Sequence, residues 1–135
     1  MDNQVKRILI AEDSAEWQRF HSSLLKNYDK CKLEFNVCSS ATDALTLLQA
    51  SLNNPYDLII TDLQMETDFV PDFAGEWLVK QVKMLNQYAN VPIVIVSATY
   101  NIAFVAHNLG VKYLSKRTLV NNPDSYYFML DEIFC

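Results

Sequence analysis

Five reactive side chains in this 135-residue chain stand where apolar sequence turns polar: Glu12, Asp13, Asp62, Ser97 and Lys116. Ile8-Leu9-Ile10-Ala11 runs into the acid pair, Leu58-Ile59-Ile60-Thr61 into Asp62, and Ile93-Val94-Ile95-Val96 into Ser97. Val111-Lys112-Tyr113-Leu114 runs into Ser115-Lys116. Short continuous apolar runs of this kind suit strands buried on both faces. A lone acid after a strand is an ordinary turn former. Acids, a hydroxyl and a lysine at several strand ends have a further reading, because the carboxyl ends of an open parallel sheet line a crevice where ligands bind. Carboxylates gathered there repel one another unless a cation or a shared proton relieves them. Hard oxygen donors with room for water suit Mg²⁺, which takes one or two carboxylates plus phosphate oxygens. A nearby lysine offers the same phosphate a second positive charge.

Helices must alternate with these strands to bring their ends together. Ser14 is a candidate N-cap, followed by Trp17, Phe20, Leu24 and Leu25 at helical spacing up to about Tyr28. Leu33, Phe35 and Val37 alternate with Glu34 and Asn36, the pattern of a strand near a sheet edge. Ser40 or Thr42 can start a second helix through Ala44, Leu45, Leu47, Leu48 and Leu52. A third is expected from Glu76 to Gln87 and a short fourth from Tyr100 to Leu109, closed by Gly110. Asp124 can cap a last helix reaching Phe134. This alternation predicts one α/β domain over residues 1–135, a doubly wound five-stranded parallel sheet with right-handed crossovers. In the flavodoxin-like order 2-1-3-4-5, strands one and three adjoin at the switch point. Glu12, Asp13 and Asp62 would then share one pocket, with Ser97 and Lys116 on its rim.

A net charge of −5 leaves no basic surplus to hold nucleic acid. No apolar run is long enough to span a bilayer, and the polar start, Met1-Asp2-Asn3-Gln4, is unlike a signal peptide. Cys31, Cys38 and Cys135 lack metal-ligand spacing and read as reduced thiols of a cytoplasmic protein. His21 and His107 stand alone and are expected at the surface or partly buried, and Asp57 is expected to help start its strand.

Four motifs in order, Ile8-Leu9-Ile10-Ala11-Glu12-Asp13-Ser14, Asp57-Leu58-Ile59-Ile60-Thr61-Asp62-Leu63-Gln64-Met65, Pro92-Ile93-Val94-Ile95-Val96-Ser97-Ala98 and Tyr113-Leu114-Ser115-Lys116, carry a resemblance over nearly the whole chain. The sequence resembles a receiver domain of the two-component response regulators. That resemblance implies that Asp62 is the phosphoacceptor, with Asp13 a direct Mg²⁺ ligand, Glu12 acting mainly through metal-bound water and the Gln64 carbonyl a further ligand. It implies that Lys116 pairs with Asp62 before transfer and with a phosphoryl oxygen after it. Ser97 would hydrogen-bond the phosphoryl group, Tyr113 would be the switch aromatic, and Ala98 the small residue that leaves the site open to a donor. Ser14, Trp17 and Phe20 lie where kinase or phosphotransfer partners grip the first helix, although a core role for the aromatics is equally expected. The implied partners are a sensor histidine kinase or a histidine phosphotransfer protein, then a downstream protein target, with homodimerisation through the output face an open alternative. Such a chain is a signalling module that assists its own modification rather than an enzyme on outside substrates.

Three departures stand out. Arg117 replaces a proline that usually follows the lysine in a cis peptide. The segment between Asp62 and Gly75 is several residues longer than typical, adding Glu66, Asp68 and Asp72 near the metal and Phe69, Val70 and Phe73, apolar residues expected to fold inward, with a partner contact as the alternative. The segment from Ser97 to Lys116 is shorter. Rival readings are a receiver-like scaffold working without phosphorylation, the receiver fragment of a hybrid histidine kinase, and an aspartyl phosphatase. The last would want an acid where Gln64 stands.

Overall fold

The computed structural model describes residues 4–65 and 73–135. Its elements are β1 (Lys6–Ala11), α1 (Ala15–Lys26), β2 (Leu33–Cys38), α2 (Ala41–Ala50), β3 (Leu58–Thr61) and α3 (Ala74–Lys83). A 3-10 turn follows at Asn86–Tyr88, then β4 (Ile93–Ser97), α4 (Ile102–Leu109), β5 (Lys112–Ser115), α5 (Lys116–Asn121) and α6 (Asp124–Phe134). The five strands form one parallel sheet in the order β2-β1-β3-β4-β5.

Strand alternation splits the core. Leu9, Ala11 and Ile59 face α2 and α3, where Ala44, Leu48, Leu78 and Val82 are buried. Ile8, Ile10, Leu58, Ile60, Val94 and Val96 pack on the other side with Leu25, Leu119, Tyr126 and Leu130. The central strands β3 and β4 are buried throughout, which is why they read as unbroken apolar runs. The edges look different: β2 alternates, and β5 leaves Lys112 and Tyr113 exposed.

Local chemistry fixes the helix starts. The Ser14 hydroxyl accepts the Trp17 N–H at 3.3 Å, and Ser40, rather than Thr42, caps α2 by accepting the Asp43 N–H at 3.0 Å. Asp57 does help start β3, since its carboxylate accepts the Arg7 N–H at 2.8 Å. α3 begins at Ala74, earlier than expected, and ends at Lys83, with Asn86–Tyr88 as a separate turn. α4 begins at Ile102 rather than Tyr100 and ends on Gly110 at φ 70°, the left-handed cap expected there. Pro123, not Asp124, precedes the first turn of α6.

Three differences bear on the site. Residues 116–121, between the expected fifth strand and the last helix, form α5, capped by the Ser115 hydroxyl that accepts the Arg117 N–H at 3.2 Å. His21 is fully buried in the core rather than exposed or partly buried, its Nδ1 2.8 Å from the Tyr126 hydroxyl. Phe73 is exposed, not folded inward, while Glu66, Asp68, Phe69, Val70 and Asp72 lie outside the described residues.

Candidate functional site

Sheet register brings the strand ends to one level. Ala11 pairs with Thr61, and the Asp62 N–H donates to the Ala11 carbonyl at 2.9 Å, so Glu12 and Asp62 leave neighbouring strands together. Ser97 pairs with Ser115, the residue before Lys116. Carboxylate oxygens of Glu12, Asp13 and Asp62 lie within 4.8 Å of one another. Glu12 and Asp62 are buried and Asp13 half-buried.

The Lys116 ammonium reaches into this group. Nζ lies 2.7 Å from Asp62 Oδ2, a directed hydrogen bond, and 2.7 Å from Glu12 Oε1. The second contact falls off the hydrogen-bonding directions, leaving Oε1 ion-paired but without a hydrogen-bond partner. Glu12 Oε2 accepts the Ser14 N–H at 3.0 Å, and the Gln18 amide donates to the Glu12 carbonyl at 2.6 Å. Asp62 Oδ1 accepts the Leu63 N–H at 2.7 Å, which turns Oδ2 toward the lysine. Lys116 is aimed without a proline after it. It opens α5, whose first turn uses the Arg117 N–H that a proline would lack, and a proline at 117 would also disfavour helical backbone at 116.

Ionisation follows from this crowding. Burial, then the Asp62 charge, raises the Glu12 carboxyl from 4.5 to about 7. Burial works against the Lys116 charge, but Asp62 and then Glu12 outweigh it and raise its pKa. Burial, then the Lys116 charge, lowers His21 from 6.5 to about 3.

These shifts predict a pH signature. With a raised folded pKa, Glu12 makes the folded chain bind more protons than the unfolded one between about 4.5 and 7, so its contribution weakens stability as pH rises through that window. His21 does the reverse: its depressed pKa adds stability as pH rises from about 3 to 6.5. The two oppose one another between 4.5 and 6.5. Glu12→Gln is therefore expected to unmask His21. In urea titrations without divalent ions, the variant should gain on the wild type as pH rises from 5 to 7.5, by a few kcal/mol at most. A constant offset between the two across that range would refute the Glu12 assignment.

The remaining candidates are more dispersed. The buried Ser97 hydroxyl accepts the Thr99 N–H at 3.2 Å and lies 3.0 Å from the Thr99 hydroxyl. Tyr113 is 45 % exposed on the β5 edge, and Gln64 and Ala98 are exposed. Trp17 and Phe20 are half-buried against the α1–α6 side of the core, so the core reading holds in part for both. Sequence reasoning missed the roles of Gln18 and Gly75, as well as the meeting of Trp17 with Lys116, whose Nζ sits 4.9 Å from the ring centroid. Gln18 was findable, because one helical turn past the Ser14 cap faces the strand end again.

The response regulator receiver domain model matches residues 8–120. Sensor histidine kinase TmoS of Ectopseudomonas mendocina is 33% identical over 110 residues, which cover 82% of this chain and 10% of that protein. Hybrid signal transduction histidine kinase D of Dictyostelium discoideum is 30% identical over 120 residues, 87% of this chain and 7% of that protein. The chain thus spans a tenth or less of these curated relatives. Chemotaxis response regulator CheY4 of Vibrio cholerae has the same fold, with TM-score 0.74 at 22% identity, covering 97% of this chain and all of that one. The Mn²⁺-bound form of response regulator Rcp1 superposes with TM-score 0.69 at 24% identity, covering 82% of this chain and 81% of that one. Among the described residues, no helix is long and apolar enough to cross a membrane. With the sheet order, the clustered acids and the match to residues 8–120 in agreement, the chain belongs to the response regulator receiver domain family.

Proposed function

We propose that this receiver domain accepts a phosphoryl group on Asp62 from the phosphohistidine of a sensor histidine kinase or histidine phosphotransfer protein, in a Mg²⁺-dependent reaction. The change in charge and packing then alters the surface offered to a downstream protein. The observation that carries the reading is the Lys116 ammonium, 2.7 Å from both Glu12 and Asp62 inside a converging set of three carboxylates.

The donor set suits Mg²⁺: all three groups are hard oxygens gathered within 4.8 Å, more negative charge than the one Lys116 ammonium balances. Asp13, Asp62 and the Gln64 carbonyl would hold the ion, with Glu12 acting mainly through its water. Bound there, it supplies positive charge to the phosphoryl oxygens. The chain's own residues do the rest. An Asp62 carboxylate oxygen attacks phosphorus, the O–P bond forms as the donor's N–P bond breaks, and the imidazole keeps the electron pair. Lys116 exchanges Asp62 for a phosphoryl oxygen. Ser97 leaves Thr99 to donate to the same group, and Tyr113 turns from the β5 edge into the space Ser97 leaves. The small Ala98 side chain keeps the donor's path open, and Ser14 on the acid-pair side of α1 lies within reach of the donor protein.

A cytoplasmic setting follows from the donor. A second reading has its own observation, since the relatives at 30% and 33% identity are much longer histidine kinases. The same site would then act as the receiver segment of a hybrid kinase.

Incubation with acetyl phosphate and Mg²⁺ tests the proposal. Intact-mass measurement should register one acid-stable, base-labile phosphoryl group on the wild type, and none after chelation or in Asp62→Asn. An unmodified wild-type chain would favour the phosphorylation-independent scaffold instead.

A further inference from the structure

Lys116 opens a six-residue helix held at its start by one cap bond, so the aim of its side chain depends on what the tip meets. The tip meets two carboxylates and one ring: Glu12, Asp62 and the indole of Trp17, 4.9 Å away. The carboxylates are partners that phosphorylation would take away, because Asp62 would become an acyl phosphate and Glu12 would face a bound Mg²⁺. Trp17 is neutral and does not change.

The ring is itself held in place. Trp17 packs on Phe20 with centroids 4.7 Å apart and lies 6.4 Å from His21. His21 is fixed by its 2.8 Å hydrogen bond to the buried Tyr126 hydroxyl, so the support reaches from α1 to α6. Burial, then the Lys116 charge, keeps His21 neutral, so this neighbour of the indole adds no charge of its own. An ammonium near an aromatic face in a partly desolvated site gains substantially from the ring quadrupole.

We propose that Trp17 is a positioning residue whose indole face keeps the Lys116 ammonium at the site while the lysine passes from carboxylate to phosphoryl partners. The inference rests on the phosphoacceptor reading given above. It also adds to the α5 cap a second support for the aim of Lys116, with Arg117 standing where the family resemblance implies proline.

The test uses the full chain carrying Trp77→Phe, so that Trp17 is its one tryptophan. Replacing Trp17 biosynthetically with progressively fluorinated tryptophans drains charge from the ring face and leaves its shape nearly unchanged. The rate of phosphorylation by acetyl phosphate, which has no protein surface to dock, should fall stepwise by about tenfold in total at constant Tm. Trp17→Leu should fall at least as far, and Trp17→Phe should recover part of the rate. Trp17 emission should also shift on Lys116→Met with neither metal nor donor present. Rates indifferent to fluorination, with the unsubstituted chain still phosphorylated, would overturn the inference alone. Failure of the unsubstituted chain to take a phosphoryl group would overturn the phosphoacceptor reading and this inference with it. If Trp17→Leu does not fold, the fluorinated series still decides.

Discussion

Lys116→Met is expected to cost about 3 kcal/mol of stability at pH 8 in the absence of divalent ions, and to slow phosphoryl transfer by about 10²–10³-fold. The lysine is buried, and its ammonium lies 2.7 Å from each of two buried carboxylates. Methionine fills similar volume and leaves those carboxylates facing one another. Breaking a buried pair by removing one partner costs about 3–5 kcal/mol. The lower end applies here, because Glu12, already raised to about 7, can take up a proton and relieve the repulsion. The deficit should therefore shrink when the pH is lowered to 5.5. It should shrink at pH 8 as well when Mg²⁺ is added, and the variant should bind the ion more tightly than the wild type, since no ammonium competes for the same oxygens. The loss in rate comes from a different source, the missing positive charge opposite the transferring group. Urea titrations at the two pH values, with and without Mg²⁺, separate these effects. A variant as stable as the wild type at pH 8 without metal would mean that Lys116 is not what relieves the acid cluster.

The parts of this site that could be read in the sequence are those set by period and position along one strand. Ile8 to Ala11 and Leu58 to Thr61 announce central strands because both faces are buried, and the acids that follow mark where the apolar run stops. Asp57 was legible for the same reason, as a polar group at a strand start. What escaped depends on contacts between residues far apart in the chain. His21 is isolated in sequence, yet it lies one turn from both Trp17 and Leu25 on the inner face of α1, and its partner Tyr126 is 105 residues away. α5 is too short to carry a periodic signal and is specified by a serine cap and the single buried apolar residue Leu119. The length of the segment before Gly75 was visible, but not the point at which the chain rejoins the site.

That point can be tested by adding one carbon. Gly75→Ala is expected to cost about 2–4 kcal/mol and to slow phosphoryl transfer by roughly a hundredfold, whereas Gly110→Ala should destabilise without touching transfer. A Cβ built on Gly75 would lie 2.1 Å from the Asp62 carbonyl oxygen, 2.7 Å from Leu63 Cα and 2.9 Å from the Asp62 carbonyl carbon. All three are backbone atoms, so no rotamer change relieves the clash. Either the first turn of α3 lifts away or the end of β3 shifts. Lifting stretches the 3.0 Å hydrogen bond from the Gly75 N–H to the Leu63 carbonyl, and shifting moves the acceptor carboxylate itself. Overpacking of this kind costs about 1–3 kcal/mol, and a weakened buried backbone bond adds about 1 more. Displacing a reacting group by about 1 Å can cost roughly 10² in rate. Gly110 differs in kind: its φ of 70° strains any side chain, but the nearest atom to an added Cβ is the flexible Lys83 ammonium at 3.3 Å. Denaturation midpoints and acetyl phosphate kinetics on the two variants distinguish a glycine needed for its backbone from one needed for the space beside Asp62. Equal rates in Gly75→Ala and the wild type would show that the start of α3 can yield without moving the site.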